Sequence, residues 1–230
     1  MTGPAPAFGS GGLVGLLREP AGEPEGALIL NHGRGSDEHD LYGLLDELDP
    51  ERRLLGVTTG APLTDIPPGG RHWYVVPRVG YPDPRTFASS YSLLCSSLDQ
   101  LLAERGIVWE RTVIGGFSMG AVMSYAAALG ARRPSPAALL AFSGFIPTVE
   151  CWAPELAGRE QLPVLIHHGR QDPVISVEFA RQARQQLEAG GLDVRYLETD
   201  AGHSLPANAV AAALQLIAEA ATPAPASPGA

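Results

Sequence analysis

Short apolar runs of five or six residues alternate along the chain with longer stretches in which apolar positions recur every three or four residues. A strand covered on both faces reads as a nearly continuous Val/Ile/Leu run, whereas a helix lying on a sheet needs only one apolar stripe. On that basis the pattern predicts strands near 27–31, 54–58, 112–117, 138–143, 164–168 and 194–199, and helices over 37–48, 86–105, 119–129, 177–189 and 206–220. The stretch FARQARQQLEAGG illustrates the helical signal. Phe179, Ala183 and Leu187 fall on one face, and Gly190 with Gly191 can supply the left-handed stop. Regular alternation of the two element types predicts a single α/β domain, with a mostly parallel central sheet and helices on both faces.

The domain is expected to span 13–220, with a flexible N-terminus over 1–12 and a disordered tail over 221–230, where ATPAPASPGA lacks the apolar bulk to offset ordering entropy. One long irregular connection, 59–85, is rich in Pro and Gly yet carries Trp73, Tyr74 and Tyr81. Loops of that length in a compact domain are usually functional or disordered, and the aromatics favour function. The interval 143–162 reads as a long loop with no inserted cap domain.

Composition narrows the function classes. At 230 residues the chain can bury roughly three quarters of its unfolded surface, so a substantial core is attainable. No apolar run approaches the roughly 20 residues that span a bilayer, and the start lacks the basic and apolar regions of a signal peptide, which together predict a cytoplasmic protein without integral membrane association. A net charge of −9 opposes nucleic-acid binding, which needs clustered positive charge. All 16 basic residues are Arg, a compositional bias from which no function follows. Two cysteines, Cys95 and Cys151, are too few and too poorly spaced for a zinc site.

The chemistry concentrates in VIGGFSMGAV. Gly116, Ser118 and Gly120 match G-x-S-x-G, in which a serine sits on a strained strand-to-helix turn and small residues two before and two after relieve crowding. A serine hydroxyl is a weak nucleophile, so the turn predicts a histidine base and a carboxylate to orient it, following in the order Ser, Asp, His. After Ser118 come His167, His168 and His203. The first two precede the best acid and have the wrong order, leaving His203, in a loop after the last strand. Asp172, just beyond a strand end, is the preferred acid over Asp193, Glu198 and Asp200. An oxyanion hole is expected from the backbone N–H groups of Met119 and Arg34, the latter in NHGRGSDEHDL, where a following helix N-terminus would add positive potential. Trp73, Tyr74 and Phe145 are expected at the substrate wall, with Ile146 and Trp152 near the same edge.

Together, NHGRGSDEHDL, GGRHWY, GGFSMGAVMS, AFSGFIP, HHGRQDPVISVEFAR and AGHSLP resemble the phospholipase/carboxylesterase family, the acyl-protein-thioesterase-like serine hydrolases of the α/β-hydrolase fold. The resemblance runs from about Ala27 to the last helix. It implies Ser118, Asp172 and His203 as a triad and Arg34 as the second oxyanion donor. The family commonly carries an apolar residue at Arg34, so a guanidinium beside the hole would alter which esters are accepted. The expected function is hydrolysis of carboxylic esters of small to medium acyl chains, or of thioesters or lysophospholipids, on a small-molecule substrate and with no metal or organic cofactor. An acyltransferase using the same triad and a silent binding protein are the alternatives.

Overall fold

The computed structural model describes residues 5–6, 8 and 13–220. The expected flexible ends therefore lie, apart from residues 5, 6 and 8, outside the described residues. Among the described residues, eight strands form one sheet in the order β1-β2-β4-β3-β5-β6-β7-β8. They are β1 (Ala5–Pro6), β2 (Val14–Arg18), β3 (Gly26–Asn31), β4 (Leu54–Gly60), β5 (Thr112–Phe117), β6 (Ala138–Phe142), β7 (Pro163–Gly169) and β8 (Asp193–Thr199). From β4 through β8 every pairing is parallel, and β2 and β1 add antiparallel at one edge.

Helices α1 (Leu44–Leu48) and α5 (Ala207–Ala220) cover one face, while α2 (Pro84–Glu104), α3 (Met119–Leu129) and α4 (Val177–Ala189) cover the other. This burial of the sheet on both sides explains why β3 and β4 are largely apolar, with Asn31, Thr58 and Thr59 towards their carboxyl ends, and buried at every position. Each Leu so enclosed contributes about 1.5–3 kcal/mol. In α3 every residue is buried, and its run of Ala121, Ala126, Ala127 and Ala128 lets the helix lie close against β5 and β6.

Strand order reverses direction between β3 and β5, since β4 continues on one side and β6 on the other. In open α/β sheets the crevice beyond the carboxyl ends of the strands at such a switch point is the default ligand site. Asn31 and Gly116 pair there, one residue before His32 and two before Ser118. The expected absence of a cap holds for the described chain: between β6 and β7 only isolated bridges occur, Gly130 with Pro154 and Val149 with Trp152.

Three elements differ from the sequence reading, among them the two-residue β1, which pairs with β2 inside the segment read as a flexible end. The helix expected over 37–48 is restricted to Leu44–Leu48. Residues 37–43 instead form successive turns closed by bonds such as Asp40 N–H to Asp37 O (3.3 Å) and Tyr42 N–H to His39 O (3.2 Å). Asp37 drives this by accepting the His39 N–H on its own side chain (2.9 Å), which competes with helix initiation. No helix N-terminus therefore follows the Gly33–Gly35 turn. The strand β2 was not anticipated, because VGLLR alternates between exposed and buried positions and ends on a charge. That charge is buried: Arg18 donates to the carbonyls of Leu45 (2.7 Å), Asp49 (3.1 Å) and Leu54 (2.8 Å) and pairs with the Asp49 carboxylate, clasping α1 to the sheet edge.

Candidate active site

The GFSMG turn has the geometry its spacing predicts. Ser118 adopts φ 55°, ψ −119°, a conformation that costs a non-glycine residue about 1–3 kcal/mol. The strain is held by the Ser118 N–H bond to Phe142 O (2.8 Å) and the Val122 N–H bond to Ser118 O (3.2 Å). A Cβ at Gly116 would lie 2.6 Å from both Asn31 O and the Gly120 carbonyl carbon, and one at Gly120 would collide with the Asn31 carbonyl. Both positions must therefore be glycine for β3 and α3 to close around the serine.

Three loops at carboxyl ends of strands bring Ser118, His203 and Asp172 together. His203 Nε2 lies 2.9 Å from Ser118 Oγ, and His203 Nδ1 lies 2.6 Å from Asp172 Oδ2. Ser118 is 7% exposed and the Asp172 side chain is wholly buried. Burial alone would push the Asp172 carboxyl up, but the Ile175 N–H, the His203 imidazole and the Val174 N–H together hold it below the usual range. The two N–H bonds to Oδ1 measure 2.8 Å from Val174 and 2.9 Å from Ile175. The rival acids are elsewhere: Asp200 pairs with Arg170 at 2.6 Å, Glu198 with Arg181 at 2.7 Å, and Asp193 is exposed at the start of β8.

The loop after β3 faces the same space. Among the described residues, the Arg34 N–H makes no hydrogen bond, and the Met119 N–H, as the first of α3, has no intrahelical partner. Both residues line a cavity of about 370 Å³ together with Ser118 and His203. The long connection pins this loop, with Gly35 N–H bonded to Arg71 O (2.9 Å) and Arg71 N–H to Ser36 O (2.8 Å). The Arg34 side chain is exposed and donates to Pro67 O at 3.3 Å.

Tyr74 and Phe145 line the cavity with Val76, Val79 and Ile175. Trp73 does not. It is fully buried, its indole N–H donates to His32 O (3.0 Å), and its ring centroid lies 5.6 Å from that of His32, so it supports the loop after β3 from beneath. Ile146 and Trp152 line a separate groove with Tyr81 and Pro84. Among the described residues, Asp37, Glu38 and His39 bring possible metal-ligand atoms within 4.8 Å of one another, on the surface, with Glu38 committed to Arg71 at 3.1 Å.

The family model described as Phospholipase/Carboxylesterase matches residues 16–220. The chain belongs to the phospholipase/carboxylesterase family. It is 25% identical over 195 residues to "Acyl-protein thioesterase 1" of Debaryomyces hansenii, covering 77% of this chain and 82% of that protein. Against "Acyl-protein thioesterase 1 homolog 1" of Dictyostelium discoideum it is 22% identical over 179 residues, 74% of this chain and 79% of that one. The crystal structure of esterase PE8 superposes with a TM-score of 0.75 at 26% identity, over 90% of this chain and 99% of that chain. The Bacillus cereus carboxylesterase gives 0.80 at 20% identity, over 92% and 96%, a likeness of fold.

In this family member three buried polar residues around the site were not singled out as site residues from the sequence. Asn31 joins β3, β4 and α3, accepting from Thr59 Oγ1 (2.5 Å) and donating to Ser124 Oγ (2.8 Å). His32 bonds at both ring nitrogens. His168 places Nε2 2.8 Å from Ile175 O and 3.3 Å from Asp172 Oδ2. Their signal was available: each is a polar residue at the carboxyl end of an otherwise apolar strand.

Proposed function

We propose that this phospholipase/carboxylesterase family member is a serine hydrolase that cleaves carboxylic esters of small to medium acyl chains through an acyl-enzyme, with Ser118 as nucleophile. The observation that carries the reading is the continuous relay from Ser118 Oγ through His203 to Asp172, at 2.9 and 2.6 Å. A hydroxyl becomes an effective nucleophile when an adjacent base takes its proton as it attacks. His203 Nε2 is that base, and Asp172 accepts the Nδ1 proton, fixing the tautomer and stabilising the imidazolium that forms.

As Oγ adds to the acyl carbon, the carbonyl oxygen becomes an oxyanion held by the N–H groups of Met119 and Arg34. Each such donor is worth about 2.7–4 kcal/mol to the transition state. Collapse of the intermediate breaks the bond to the leaving oxygen or sulfur, which takes its proton from His203. Water, deprotonated by the same imidazole, then releases the acid and restores Ser118. The apolar wall of Tyr74, Val76, Val79, Phe145 and Ile175 receives the acyl chain. A cavity of about 370 Å³ lies at the small end of ligand sites, which favours short over long chains. The free cysteines Cys95 and Cys151 accord with a reducing cytoplasmic setting.

The test is a panel of aryl esters and thioesters of graded acyl length, read on the wild type and on Ser118→Ala. Turnover should peak at short or medium chains. It should fall by about 10⁶-fold in the variant, the scale seen when a triad serine is removed. Turnover retained by Ser118→Ala would contradict the assignment.

A further inference from the structure

His32 is 1% exposed and sits between β3 and the oxyanion loop. Its Nε2 lies 3.0 Å from the Ala61 nitrogen and its Nδ1 lies 2.6 Å from the Gly33 carbonyl oxygen. A backbone N–H can only donate, so Nε2 must be the acceptor and the single proton of the neutral ring must reside on Nδ1. A carbonyl can only accept, and the Nδ1–H therefore donates to Gly33 O. Burial, which pushes the His32 pKa down, keeps the ring in this neutral form.

The acceptor matters because of the group attached to it. Gly33 C=O and Arg34 N–H belong to one peptide unit. Among the described residues the only cis bond is Pro67–Pro68, so this unit is trans and its C=O and N–H point in opposite directions. Holding the carbonyl on the imidazole consequently aims the Arg34 N–H the other way, towards the cavity that Gly33 and Arg34 line. The Ser36 N–H reaches the same carbonyl at a longer 3.4 Å, leaving the imidazole as its shorter donor. The ring is in turn held from outside. Trp73 donates to the His32 carbonyl, and the Ala61 N–H fixes the far side of the imidazole to the end of β4.

We propose that His32 is a positioning residue for the oxyanion hole: its Nδ1–H orients the Gly33–Arg34 peptide so that the Arg34 N–H meets the developing oxyanion. The proposal rests on the esterase reading of the site. A misplacement of about 1 Å at a reacting centre can cost on the order of 10²-fold in rate, so the orientation of one peptide is enough to matter.

Two substitutions separate this role from a packing role. The amide nitrogen of asparagine falls where Nδ1 lies and can still donate to Gly33 O. Glutamine reaches the Nε2 position, where it can accept from Ala61, but leaves Gly33 O with only the longer Ser36 N–H bond at 3.4 Å. The measurements are kcat and KM on one short-chain aryl ester, and the affinity of an alkylboronic acid that forms a tetrahedral adduct on the serine, with melting temperatures as a check on folding. His32→Gln should lose about 10²-fold in kcat, with little change in KM and a parallel loss in boronate affinity, while His32→Asn stays close to the wild type. Equal losses in both variants, a larger loss in His32→Asn, or no loss in either would overturn the proposal. Independently of any variant, ¹⁵N shifts of the wild-type ring should report the Nδ1–H tautomer, and an Nε2–H tautomer would also overturn it. A wild type that hydrolysed no ester would instead overturn the esterase reading on which the proposal rests.

Discussion

Asp172 and Asp200 are separated by 28 positions and by opposite environments, and under the proposed mechanism their contrast favours Asp172 as the carboxylate that orients His203. The Asp172 side chain is wholly buried, accepts two backbone N–H bonds and contacts His203 at 2.6 Å. Asp200 is 80% exposed and spends its charge on Arg170. An amide at position 172 could stabilise the wrong imidazole tautomer, so Asp172→Asn should lower kcat by about 10⁴-fold. Asp200→Asn should leave kcat nearly unchanged. Steady-state kinetics of the two variants on one ester checks this, and the reverse ranking would move the role to Asp200. At this scale residue type and chain order sufficed to pick out three side chains that the fold brings into hydrogen-bond contact, Ser118, His203 and Asp172. Trp73 was not legible in this way. An aromatic ring in a long loop suits a wall or a support equally well, and only the fold reveals that its N–H partner is a carbonyl 41 positions away.

The central strands were readable because they are buried, and β8 was readable at the far edge although none of its positions is buried. Strands β3 to β7, enclosed on both faces, announce themselves as apolar runs, whereas β2 near the edge alternates and carries a charge whose partner, Asp49, lies far along the chain. The 37–48 segment misled because its apolar positions keep a helical spacing while Asp37 diverts the backbone into turns. The packing of α4 against β8 supplies a test of its own. Glu198 on β8 takes Arg181 from α4 and Arg170 from the loop after β7, and the Arg181 bond chiefly holds its carboxyl down at about 2, against an ordinary 4.5. A carboxylate depressed by folding stabilises the native state above its unfolded pKa, and that contribution fades as pH falls through the window from 4.5 towards 2. The melting temperature of Glu198→Gln should therefore lie below the wild type at neutral pH and converge with it on acidification. Parallel curves across that window would show that the clasp contributes nothing to folding stability.

Over the whole molecule, function follows from where the strand order turns. The reversal between β3 and β5 opens a crevice in which the serine turn, the loop after β3 and the His203 and Asp172 loops converge, and the 59–85 connection closes down on one side of it. The sequence reading reached this architecture because alternating strands and helices, with fixed-order chemistry at strand ends, leave few ways to assemble them. The finer shape of the cavity depended on loop contacts that have no period, so the sequence could name Tyr74 and Phe145 but not exclude Trp73. The central claim is that one residue, Ser118, becomes covalently acylated by the substrate. Its most direct test is to inactivate the enzyme with an organophosphonate ester, digest it and map the adduct by mass spectrometry while following residual esterase activity. The account predicts one phosphonyl group per chain, on the peptide containing Ser118, with activity lost in proportion to labelling. An adduct on any other residue, or full labelling of Ser118 with activity intact, would contradict it.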